Sequence, residues 1–227
     1  ERRFYTGMAM LMLVTVLLGF SRTFFLRPWF PEAHKLSPNE PFFFYVHGVF
    51  FTAWILLLVM QPLLVANRRL DIHRKAGWFG AALAVGVVVV GAIGALIAAA
   101  RPGGYIGVPV PPLQFLVVPL ADLVLFAGFV ALAVAKRRDM QSHKRFMLLA
   151  MIGLLDAAVV RFPFADMTVA VAGPYFSRTD LGVDLFLLPM IVWDFVSRGR
   201  VHVVTVIGGL AIIASQPLRM LLSETDA

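Results

Sequence analysis

The feature that most constrains this chain is a succession of apolar runs, each close to the length of a bilayer and joined by short basic turns. Crossing ~30 Å of hydrocarbon at ~1.5 Å per residue takes about 20 residues. Runs of that order cover roughly residues 4–25, 43–66, 77–100, 113–135, 145–163, 181–197 and 201–221. Lipid offers backbone N–H and C=O groups no partner, so segments of this kind fold as helices. The expected fold is an all-α, polytopic transmembrane helix bundle of about seven spans, forming a single domain over residues 1–227. The sixth run is short and holds Asp184, Pro189 and Asp194, so a kink or tilt is expected there. The seventh carries Gly208-Gly209 in its middle and Pro217 near its end, and six spans plus a re-entrant segment is the alternative count.

The first run follows Glu1-Arg2-Arg3 and resembles the core of a signal peptide. It lacks a small-residue cleavage site and continues into Ser21-Arg22-Thr23-Phe24-Phe25, so a retained helix is expected. The chain opens on Glu1 rather than Met, so further residues are expected before it.

Orientation follows from the basic residues. Arg2-Arg3, Arg68-Arg69, Arg74-Lys75, Lys136-Arg137-Arg138, Lys144-Arg145, Arg198 and Arg200 fall in alternate connections, thirteen in all. The other side holds seven: Arg22, Arg27, Lys35, Arg101, Arg161, Arg178 and Arg219. Positive charge concentrates in cytoplasmic turns, so the N-terminus is expected inside and, with seven spans, the C-terminus outside. The net charge of +7 is spread between apolar segments, which points to anionic lipid headgroups as partners and not to nucleic acid. The outer connections Arg27-Pro28-Trp29-Phe30-Pro31, Arg101-Pro102-Gly103-Gly104-Tyr105 and Gly173-Pro174-Tyr175-Phe176 mix helix breakers with aromatic rings suited to the headgroup zone. The third run pairs Gly80 with Ala84 and Gly91 with Ala95, spacings that allow close helix approach, so it is expected to lie centrally.

With no cysteine, disulfides, thiolate metal sites and cysteine nucleophiles are excluded. Phosphate-cradling glycine loops, Gly-x-Ser-x-Gly elbows and His-Glu-x-x-His helices are absent from the sequence, as is a lysine inside the last run to hold retinal. Three sets of residues remain that could carry chemistry.

The first is a trio of histidines. Three basic turns each contain an Asp followed by a His where the next helix starts, giving His73, His143 and His202 at similar depth. If their helices are neighbours, the imidazoles can converge on a transition metal, or two can ligate the iron of a b-type haem. Asp71 or Asp139 would then serve as a further ligand or as an orienting group. The plainer reading is a histidine anchoring an interface beside lysine and arginine.

The second is a stripe. His47, Trp54 and Gln61 are seven apart and share one helix face, as do His202, Gly209 and Gln216 on the last run. Packed antiparallel, these runs would set His47 level with Gln216, Trp54 against Gly209 and Gln61 beside His202. Such a stripe is either a structural seam or a route for a proton or ligand. The third is a pair of acids, Asp122 and Asp156, both placed near the bilayer middle. A charge at that depth costs at least ~2.5–3.5 kcal/mol, so each acid is expected to be protonated, paired or facing water. Arg101, Arg161 and His47 are the candidate partners; Arg161 lies five residues from Asp156, on a different face.

The segments His47-Gly48-Val49-Phe50-Phe51-Thr52-Ala53-Trp54 with Gln61, Ile72-His73-Arg74-Lys75-Ala76-Gly77-Trp78, His143-Lys144-Arg145-Phe146-Met147 and Ser215-Gln216-Pro217-Leu218-Arg219 together resemble a group of bacterial polytopic inner-membrane proteins whose function is not characterised. The resemblance spans most of the chain and implies the bacterial inner membrane, without implying a reaction. A fainter similarity links the chain to small membrane b-type cytochromes, which hold haem with histidines on helices. Their two-haem version uses histidine pairs on both sides of the membrane; here only His47 falls in an outer half-span, with His34 in a loop. Three functional classes therefore stay open: first a metal- or haem-binding redox accessory protein using inward-facing histidines, second a small proton-coupled carrier or channel-like protein using Asp122, Asp156 and His47, and third a structural subunit of a larger membrane complex or homo-oligomer.

Overall fold

The computed structural model describes residues 1–30, 42–102, 104–105, 110–162 and 177–224. Pro31, His34, Lys35, Gly103 and the Gly173-Pro174-Tyr175-Phe176 connection lie outside the described residues. Among the described residues the regular elements are helical and no strand occurs. In chain order they are α1 (Arg2–Gly19), α2 (Phe42–Ala66), α3 (Leu70–Ala99), α4 (Pro112–Ala135), α5 (Met140–Leu154), α6 (Asp156–Val159), α7 (Arg178–Asp184), α8 (Leu187–Arg198) and α9 (Val203–Glu224). A π-helical turn, Ser21–Phe25, and a 3-10 turn, Arg27–Trp29, follow α1.

Among the described residues four helices are long and apolar enough to cross a membrane: α2, α3 and α4 over their whole lengths, and α9 over Val203–Leu222. By length and composition this is a membrane protein. The other three runs are built differently. The first is an 18-residue helix, α1, extended by the π turn. The fifth is interrupted at Leu155, whose N–H reaches back only to the Ile152 carbonyl at 3.0 Å, and continues as the short α6. The sixth, expected to be kinked, is split at Leu185 and Phe186 into α7 and α8. Pro189 stands in the first turn of α8, where its missing N–H leaves no helical bond unmade.

Local chemistry sets several of these ends. Asp139 precedes α5 and accepts from the Gln141 and Ser142 amides at 3.0 and 3.3 Å. The Ser142 hydroxyl also donates to it, and these bonds hold the Asp139 carboxyl below its usual range. Ser177 and Asp180 form a reciprocal capping box at the start of α7. Gly199 ends α8 in the left-handed region at φ 71°, a conformation glycine adopts without a Cβ penalty.

The helices pack largely in chain order, α1 on α2, α2 on α3, α3 on α4 and α4 on α5. The last helix, α9, returns to pack on α4, α5, α7 and α8, and α1 also meets α5 and α6. The centre of the bundle is α5, where Leu148 to Ile152 and Leu155 are all buried. This corrects the expectation for the third run: α3 exposes Trp78, Phe79, Val85, Val89, Ile93 and Leu96 along one side. Its small residues do receive neighbours, since a Cβ on Gly80 would lie 2.7 Å from Leu57 and one on Gly91 would lie 2.8 Å from Leu123. Close approach on two faces therefore belongs to a peripheral helix, because polar contacts described below tie α9 to α4, α6 and α7 and leave α3 outside.

One end of the bundle gathers the basic turns. Arg2 donates to the Ala66 carbonyl at 3.4 Å, Phe4 stacks on Trp193 with centroids 4.7 Å apart, and Lys144 pairs with Glu1. Arg137 lies over the Trp78 ring at 5.7 Å on the same end. At the other end Gly19 meets Ala158, and Tyr105 donates to the Ala95 carbonyl at 2.8 Å.

Candidate functional site

Helical spacing decides which polar groups share a face. On α9, Gln216 and Arg219 are three apart, and on α7, Asp180 and Asp184 are four apart, so each pair projects the same way. The two helices pack together with these faces joined. Arg219 Nη2 donates to Asp180 Oδ1 at 2.6 Å, and Gln216 Nε2 donates to Asp184 Oδ1 at 3.0 Å. From α4, Asp122 Oδ1 accepts from Arg219 Nη1 at 2.7 Å. From the first residue of α6, Asp156 Oδ2 stands 3.2 Å from Arg219 Nη2. One guanidinium thus holds carboxylates from three other helices together, and all four side chains are at most 14% exposed.

The charges do not balance. Three carboxylates against one guanidinium leave an excess of two negative charges if all ionise, with Asp184 close by through Gln216. In a medium of low polarity such an excess is expensive, and neutralisation by protons is the ordinary relief. Several acceptors around the cluster are also idle. Asp156 Oδ1, Thr179 Oγ1 and Gln216 Oε1 are buried without a hydrogen-bond partner among the described residues. Thr179 and Gln216 are themselves 1% and 2% exposed.

A second buried pair in the same bundle shows the balanced alternative. Near the basic end, Arg145 Nε donates to Asp194 Oδ1 at 3.0 Å and its Nη2 donates to the same oxygen. Asp194 Oδ2 accepts from the His202 amide at 3.0 Å and from Thr205 Oγ1 at 2.6 Å. Arg145 Nη1 is taken up by Gln141, through its carbonyl and its side-chain oxygen, both at 2.8 Å. One acid meets one base, every strong group is used, and α5, α8 and α9 are fastened together.

The residues singled out in the sequence fare unevenly. Asp122 and Asp156 are brought together, but their partner is Arg219. Arg161 instead donates to the Ala157 carbonyl and lies 4.3 Å over the Phe20 ring. Arg101 lies 4.2 Å over Phe44, and His47 stacks on Phe51 with centroids 4.2 Å apart. The antiparallel stripe is not realised. Trp54 meets Phe126 of α4 edge-on at 4.9 Å, whereas a Cβ on Gly209 would face Leu187 of α8 at 3.5 Å. Gln216 turns to Asp184, and Gln61, with its amide nitrogen toward α3, donates to His73 Nδ1 while its oxygen accepts from the Gly77 amide at 3.2 Å. The physical reason is that Arg219 and its acids draw the last helix onto α4, α6 and α7 and away from α2.

The three histidines are engaged separately. His73 is held by Gln61, His143 Nδ1 lies 2.8 Å from the Ala133 carbonyl, and His202 Nδ1 accepts from the Val204 amide at 3.1 Å. Among the described residues no group of three or more His, Asp or Glu side chains is placed to hold a metal ion.

Sequence reasoning missed Arg219, which it counted among the residues of an outer turn, and it missed Asp180 and Asp184 as site residues. The signal was present in part. Gln216 and Arg219 lie on one face of an apolar helix, and Ser177-x-x-Asp180 marks a helix start whose acid is placed at a fixed offset from Asp184. No family model, no curated protein and no solved structure matches this chain.

Proposed function

We propose that this chain is a small proton-coupled carrier or channel-like protein, with its protons taken up at the Arg219 cluster. In this reading it is a single domain of seven spans in the bacterial inner membrane, with a cytoplasmic N-terminus and basic turns against anionic lipid. The observation that carries the reading is the surplus of acid: Asp122, Asp156 and Asp180 on one buried guanidinium. A static structural pair needs one acid per base, which is how Arg145 and Asp194 are arranged. An unbalanced site inside an apolar bundle invites protons, and a proton arriving there weakens the grip of α9 on its neighbours. That links charge to helix position, as a coupled carrier requires.

The test is proton movement into proteoliposomes loaded with a pH-sensitive dye. The native chain should collapse an imposed pH gradient, and a variant carrying Asp122→Asn with Asp156→Asn should behave as empty vesicles do. Equal rates for native and variant protein overturn the reading. Topology is tested by single cysteines, which the native chain lacks. Cysteines at Arg69 and Arg138 should label from the cytoplasmic side and one at Arg101 from the opposite side; the reverse pattern overturns the orientation. A metal or haem role for His73, His143 and His202 draws no comparable support, and an absorbance spectrum with metal analysis of the purified protein would restore it.

A further inference from the structure

Resting on that reading, we infer that the exchangeable proton of the cluster is carried by Asp156, and that Asp180 and Asp122 remain as the fixed counter-charge of Arg219. The three acids differ in what each would lose on protonation. Asp180 is held on both oxygens. Its Oδ1 accepts from Arg219 at 2.6 Å, and its Oδ2 accepts from the Ser177 amide at 2.8 Å and the Ser177 hydroxyl at 2.7 Å. These bonds also start α7, so a proton there would loosen a helix as well as an ion pair. Asp122 accepts a direct charge-assisted bond from Arg219 Nη1 at 2.7 Å. Asp156 has the least. Its Oδ2 makes the longest of the three contacts, 3.2 Å, to a nitrogen already committed to Asp180, and its Oδ1 is buried with no partner among the described residues.

An ionised carboxylate with one bare buried oxygen is the costliest of the three to keep charged, and the cheapest to neutralise. Among the described residues no cation other than Arg219 is paired with the three acids. Facing Asp156 are Asp122 from α4, Asp180 and Asp184 from α7, and Arg219 from α9. Arg161, on the same segment, is turned to Ala157 and Phe20, and α1 sets Gly19 against Ala158. The position in the chain matters as well. Asp156 follows directly on the interruption at Leu155, so it opens the short α6 just past the end of the long α5. Releasing its contact to Arg219 frees α6 from α9 without disturbing Asp122 on α4 or Asp180 on α7.

Infrared difference spectroscopy of the protein in liposomes, on stepping the pH, reads this directly through the C=O stretch of a protonated carboxyl. The native protein should show one such band. Asp156→Asn should abolish it, Asp122→Asn should leave it, and Asp156→Glu should retain it at a shifted frequency. Asp156→Asn gives up only a long contact, so it should fold, and a thermal midpoint matching that of the native protein confirms that the band is lost for a chemical reason. A band that disappears in Asp122→Asn and survives in Asp156→Asn overturns the assignment and leaves the proton-coupled reading standing. A band lost equally in both variants also overturns it, because the proton is then shared. If the native protein shows no such band at any pH, the proton-coupled reading itself fails.

Discussion

Replacing Asp194 by Asn is a demanding test of the fold, because the two residues are alike in volume and differ in charge. Arg145 and Asp194 are each 1% exposed. The carboxylate accepts from Arg145, from the His202 amide at 3.0 Å and from Thr205 Oγ1 at 2.6 Å. Asparagine removes the negative charge and turns one acceptor into a donor that faces other donors. A buried guanidinium left without its acid costs about 3–5 kcal/mol. That corresponds to a rise of about two to four powers of ten in the opening equilibrium. With no native cysteine, a single cysteine at buried Met190 reports opening through its rate of thiol labelling in detergent micelles. The paired change Arg145→Met with Asp194→Leu should recover most of the loss, since apolar replacements of a buried ion pair are often neutral. Recovery should stop short of complete, because Gln141, Thr205 and the His202 amide each lose a partner worth about 1 kcal/mol. If Asp194→Asn labels within about threefold of the parent (under about 1 kcal/mol), the pair is not the fastening between α5, α8 and α9.

The remaining predictions concern single contacts. A Cβ on Gly19 would lie 2.5 Å from the Ala158 carbonyl oxygen and 3.0 Å from its carbon, both backbone atoms that cannot rotate away. Gly19→Ala should therefore destabilise the protein by about 1–3 kcal/mol, seen as a lower thermal midpoint in micelles. By contrast Gly77, inside α3, has nothing within 4 Å of its Cβ position. Gly77→Ala should stabilise by about 0.5–1 kcal/mol through helix propensity alone, measured by the same midpoint. At the start of α5 the folded-state titration of Asp139 is lowered, first by the Ser142 hydroxyl and then by the amides it caps. Its contribution is therefore fully present above the unfolded value of about 4 and is lost as the pH falls through the lower folded value. Amide exchange at Gln141 and Ser142 should accelerate in that acid range and be fast at all pH in Asp139→Ala.

The helical character of this protein and the stretches that form it were written in local sequence, because the backbone in lipid can satisfy its own polar groups only within a helix. The runs read at 43–66, 77–100 and 113–135 correspond to α2, α3 and α4, and the weak features of the sixth, Asp184 and Pro189, flank its break. Asp122 and Asp156 also stood out as acids inside apolar runs, and the fold brings both onto Arg219. What local pattern leaves open is which helix faces which. A period of 3.6 assigns a residue to a face and says nothing of the neighbour that face receives. The stripe on α2 and the stripe on α9 matched in spacing, yet Arg219 reaches an acid 97 residues away on α4 and another 39 residues away on α7. Only the tertiary structure brings those distant groups together, because the bonds of a buried charge with its partners outweigh a periodicity that many helix pairings satisfy equally well.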